Sequence, residues 1–112
     1  MASYTVPVGH IGAYAKTLVA NTADTVTFAL GSTSTPGWAN LPKSIKVVTD
    51  GTDELYFTVD GSTPTVAGTN TYEMAAAAGS VTVSVEDSNA QDAVVVKLIS
   101  AGTTKYSVSK VS

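Results

Sequence analysis

The chain has no cysteine and no arginine, one histidine and one tryptophan, and only 13% of its residues are charged. Without cysteine there can be no disulfide, no iron–sulfur cluster and no thiolate-bound zinc. Without arginine, and with six lysines scattered from Lys16 to Lys110 in a chain of net charge −3, no basic patch is available to neutralise phosphates. Nucleic acid is therefore not an expected partner. No apolar run approaches the roughly 18 residues that suggest a membrane span, so a membrane is not expected either. The opening MASYTVPVGH has neither a basic segment nor an apolar stretch of the secretory kind, which predicts synthesis in the cytoplasm.

Shortage extends to reactive constellations. His10, between Gly9 and Ile11-Gly12, has no second histidine to work with and reads as a surface or packing residue. No spacing points to a Ser–Lys pair. Gly9-x-x-Gly12 lacks the third glycine and the following helix of a phosphate loop. Nearly all the carboxylates flank turns, where Asp serves backbone geometry, and no two are singled out as acid and base. Asp50, Asp53 and Asp60 bracket one strand and are candidates for a calcium ion, but that strand separates Asp60 from the others by most of its length. No residue is singled out as catalytic, and no metal or cofactor is expected.

What the chain does have is alternation. At 112 residues and 44% hydrophobic it is long enough for one domain with a sizeable core. Apolar residues recur with period two at Tyr4, Val6 and Val8, through residues 13–20, and at Val26, Phe28 and Leu30. The same pattern runs through SIKVVTD, ELYFTVD, SVTVSVED, AVVVKLIS and TKYSVSKV. Asn21-Thr22-Ala23-Asp24 predicts a hairpin turn between the second and third of these segments. Asp50-Gly51, the strongest hairpin signal in the chain, predicts a second hairpin. AVVVKLIS is apolar on both faces and reads as a central strand or one covered on both sides. Ala75–Gly79 fits a single helical turn, too short to stand alone. The expected fold is all-β: an antiparallel β-sandwich of about eight strands, Ig-like or jelly-roll-like. Residues 13–112 form the sandwich, and residues 1–12 an N-terminal arm or an edge strand, since Pro7 cannot donate within a ladder.

Four residues stand out as partner-binding candidates. Tyr4, Val6 and Val8 line one side of the arm and could add a strand to a partner's sheet. Trp38 lies in GSTSTPGWANLP, residues 31–42, where it either plugs the end of the core or serves as a contact aromatic. Tyr56 is the best candidate for an exposed, sugar-stacking ring, against a plainer reading as cross-strand packing.

Two resemblances begin at residues 55–74. LYFTVDGSTPT resembles the strand-and-turn signature of Ig-like accessory domains appended to carbohydrate-active enzymes, which implies a corner at Asp60-Gly61 and a stiffened exit at Pro64. LYFTVDGSTPTVAGTNTYEM together with VVVKLISAGTTKYSVSKV resembles small virion proteins of tailed bacteriophages, in particular capsid decoration proteins. That second resemblance implies a structural, non-enzymatic protein on the virion surface. Its partner would be the major capsid protein, and it would bind as a monomer, dimer or trimer.

Overall fold

The computed structural model describes residues 2–7, 10–29, 44–66, 68, 71–74, 79–84 and 93–111. Among them are nine strands and no helix: β1 (Ser3–Val6), β2 (Gly12–Thr17), β3 (Asp24–Ala29), β4 (Ser44–Thr49), β5 (Leu55–Thr58), β6 (Tyr72–Met74), β7 (Ser80–Ser84), β8 (Ala93–Ile99) and β9 (Lys105–Lys110). Ala75–Ala78, read above as a helical turn, lie outside the described residues.

The strands divide into a five-stranded sheet, β1-β3-β8-β5-β6, and a four-stranded sheet, β2-β9-β4-β7. Every pairing is antiparallel except β1 with β3. The order is nested: β2 pairs with β9, β3 with β8, β4 with β7, and β5 with β6 at the centre of the chain. A long hairpin rolled into two layers has this order, which is that of a jelly roll. It settles the choice left open above, because an Ig-like sandwich joins consecutive strands within one sheet. Among the described strands only β5 and β6 are joined that way, and the other consecutive strands lie in different sheets.

Neither of the two hairpins read from turn chemistry forms. β2 and β3 lie in different sheets, and so do β4 and β5. The turn signals are real but local, and they do not say which edge the next strand will join. Both edges of β4 are already occupied, by β7 and by β9. The chain leaving Thr49 keeps bonding to those neighbours, Thr49 N–H to the Gly79 carbonyl and Asp50 N–H to the Lys105 carbonyl. After β2, Leu18 buries itself at the core's end and Asn21 turns the backbone at φ 57°, so the chain crosses over instead of folding back.

The core lies between the sheets and follows the alternation. Val26 and Phe28 of β3, Ile45 and Val47 of β4, Leu55 and Phe57 of β5, Val94, Val96 and Leu98 of β8, and Tyr106 and Val108 of β9 are buried together. β8 is central in its sheet, the first of the two readings its two-sided apolar pattern allowed.

A polar bond crosses this interior. Asp24 on β3, 1% exposed, accepts the Tyr106 hydroxyl of β9 at 3.0 Å and the Ala2 N–H at 3.1 Å. It ties the two sheets together and anchors the start of β1. No buried side-chain polar atom among the described residues lacks a partner.

Candidate partner-binding surface

β1 is an edge strand of its own sandwich. It runs parallel to β3 in the register Ser3 with Thr25 through Val6 with Phe28, and the Ala2 carbonyl accepts Thr25 N–H at 2.9 Å. The apolar side of the strand turns inward. Val6 is buried at 4% exposure, and Tyr4 is half-buried against the core with the Lys16 ammonium 4.4 Å above its ring. The side chains of Tyr4 and Val6 therefore face the protein's own interior, and what β1 offers a partner is its outer backbone edge with Ser3 and Thr5. Val8 and Trp38 lie outside the described residues, so the four candidates are not brought together among them.

A hydrogen-bonded corner dominates one end of the sandwich. The crossings β2–β3, β4–β5 and β8–β9 meet there. Leu18 N–H reaches the Thr104 carbonyl, Asn21 N–H the Ser100 carbonyl, and the Ser100 hydroxyl donates to the Glu54 carbonyl at 2.8 Å. Asp50 is the hub. Its Oδ1 accepts the Thr104 hydroxyl at 2.6 Å and Thr52 N–H at 3.0 Å, while Thr49 and Thr104 share a buried hydroxyl contact at 3.2 Å. The Thr104 hydroxyl, followed by the Thr52 N–H, holds the Asp50 carboxyl down at about 2. Asp60, at the far end of β5, is engaged in its own turn: it accepts both the hydroxyl and the N–H of Ser62, and the hydroxyl foremost lowers its pKa. Asp50 and Asp60 thus hold separate turns. Among the described residues no group of three or more potential ligands is placed to bind a metal.

Beside this corner lies a shallow, open depression of about 260 Å³ lined by Thr52, Asp53, Glu54, Tyr56, Val66 and Ala101. Tyr56 is only 6% exposed, which decides for cross-strand packing over an exposed stacking ring. Its register on β5 explains this: it stands opposite Glu73 of β6 and Ile99 of β8, so neighbours on both sides enclose it. Its hydroxyl donates to Glu54 at 2.6 Å, and that bond, more than its burial, raises its pKa to about 12. Such a hydroxyl is a fixed hydrogen-bond donor rather than a general acid at neutral pH. The most exposed aromatic rings among the described residues are instead Tyr14 and Tyr72, the latter stacked on Phe57 at 5.2 Å. His10 is exposed, with its backbone N–H bonded to the Pro7 carbonyl.

Comparison with known protein families, with curated proteins and with solved structures finds no match.

Several features of this surface have no sequence signal. The corner threonines Thr49 and Thr104 look like any of the chain's many threonines. Ala15 adopts φ 55° inside a bulge of β2, a conformation that alanine does not advertise.

Proposed function

We propose that the protein is a structural virion component that binds the outside of a bacteriophage capsid and stabilises contacts between capsomers, with the major capsid protein as its partner. The observation that supports this reading is the nested jelly roll itself: two sheets tied through Asp24 and Tyr106, crossings locked at the Asp50 corner, and strand edges at the periphery. Jelly rolls recur in capsid architecture, and a rigid body with exposed edges suits repeated addition to a lattice, where many weak contacts sum to avidity. The edge of β1 is the element we assign to the capsid contact, by strand addition through its backbone.

A second reading, a carbohydrate-binding or tail-surface accessory module, is favoured by one observation. The depression beside the corner presents Asp53, Glu54 and Tyr56 next to Val66, a mixture of polar and apolar groups suited to a sugar ring. Fold alone does not separate the two readings, since jelly rolls also serve as lectins.

Co-sedimentation of the purified protein with mature capsids stripped of their surface proteins tests the first. Saturable binding at a fixed number of copies per capsomer, with a rise in the temperature at which capsids release DNA, is the expected result. Absence of binding overturns it. A polysaccharide array, with Glu54→Gln as control, then tests the second.

A further inference from the structure

β1 is tied to the sandwich more lightly than the strand it packs against. Among the described strands it pairs only with β3, over four residues, and that pairing is parallel. Parallel ladders are slightly less stable per residue than antiparallel ones. Pro7 has no N–H with which to extend the ladder beyond Val6. Ser3 and Thr5 are exposed and Tyr4 is half-buried, so Val6 alone of the four side chains is fully buried. Side-chain contacts add to the ladder: the Lys16 ammonium lies over the Tyr4 ring, and Asp24 Oδ1 accepts the Ala2 N–H. Asp24 divides its carboxylate between two elements. Its Oδ1 holds the start of β1, while its Oδ2 accepts the Tyr106 hydroxyl of the opposite sheet. Loss of the Ala2 N–H therefore leaves the tie between the sheets in place, and water entering at the opened edge can supply the missing donor. β3 likewise keeps its six-residue ladder with β8.

We propose that β1 is a strap that opens and recloses on a sandwich that stays folded without it, so that residues 2–7 alternate between a docked strand and a released arm. Elements with few buried apolar contacts and edge hydrogen bonds open ahead of global unfolding. Opening frees the alternating face of Tyr4 and Val6 and uncovers the outer edge of β3, where Thr25 and Thr27 turn their N–H groups. The arm and the edge strand that the residue pattern allows are then two states of one segment. This inference does not depend on the capsid reading.

Residue-resolved amide hydrogen exchange of the purified full chain tests it, because β3 carries its own control. Backbone groups along a strand point alternately to its two neighbours. Thr25 N–H bonds to the Ala2 carbonyl, Thr27 follows it on the same side, and Val26 and Phe28 turn towards β8. Thr25 and Thr27, with Tyr4 and Val6, are expected to share one protection factor, at least roughly tenfold below that of Val26 and Phe28. Ala2→Pro removes the N–H that Asp24 accepts and leaves Asp24 and Tyr106 intact. It is expected to lower the first set by about a further tenfold, the worth of a bond to a carboxylate, and to leave Val26 and Phe28 unchanged. Equal protection of Thr25 and Val26 in the wild type overturns the proposal, since β1 would then leave only when the whole sandwich unfolds. So does an Ala2→Pro variant that lowers both sets by the same factor, or neither.

Discussion

Ala15 holds φ 55° in the β2 bulge, where its N–H donates to the Ser107 hydroxyl at 2.9 Å. A side chain in the left-handed region costs about 1–2 kcal/mol, and glycine removes that cost while adding unfolded-state entropy. Ala15→Gly is therefore expected to stabilise the fold by about 0.5–1 kcal/mol, read as a rise of a few degrees in melting temperature. Gly12, on the same strand, is the opposite case: a Cβ there would meet the Val108 carbonyl and the Ser109 backbone across the β2–β9 ladder. Asp50 gives a pH signature. Its pKa is lowered from 3.8 to about 2 in the folded protein, so its contribution is complete above the ordinary value and is lost as pH falls through that window. Melting temperature is expected to drop between pH 4 and pH 2 in the wild type more steeply than in Asp50→Asn, with the Thr104 bond as the cause.

At the scale of single elements, β1 changes meaning most. Its alternation of Tyr4 and Val6 fits equally an arm reaching for a partner and a strand packing on its own core, and the parallel ladder with β3 gives the second. Removing residues 2–9 would therefore test stability and capsid binding at once. Val6→Ala separates them: it is expected to destabilise the fold by about 2 kcal/mol in denaturant unfolding, because it opens a cavity against Phe28 and its neighbours. Occupancy on capsids should be unchanged below the new melting temperature, since the backbone edge is untouched. The central hairpin β5–β6 behaves differently. Its corner at Asp60-Gly61 is built from neighbours in sequence, with Gly61 at φ 85° and Ser62 bonded to Asp60, and it falls where the residue pattern places it.

The whole molecule is organised by the nesting. Among the described strands only the innermost pair, β5 with β6, is consecutive within a sheet, and β2 with β9 closes across almost the entire chain. Loop-closure entropy must be met before such distant pairings stabilise anything, so refolding is expected in milliseconds to seconds, slower than for helical proteins of equal length. Stopped-flow fluorescence of Trp38 after dilution from denaturant measures it, and completion within microseconds would contradict the expectation. The Asp50 corner acts at this scale as well. Three crossings converge on it, and each contributes donors or acceptors that water would otherwise have to satisfy.

The sequence by itself determined the all-β class, the inward face of nearly every described strand and the turn at Asp60-Gly61. These follow from period-two alternation and from φ preferences, which are properties of a residue and its near neighbours. Only the tertiary structure decided that Asn21–Asp24 and Asp50-Gly51 join strands of different sheets, that Tyr56 is enclosed, and that Tyr4 and Val6 face the protein's own core. A turn residue fixes the local direction of the backbone, but the edge a strand joins depends on which edges are already occupied. Here β7 and β9, far along the chain, had taken both edges of β4.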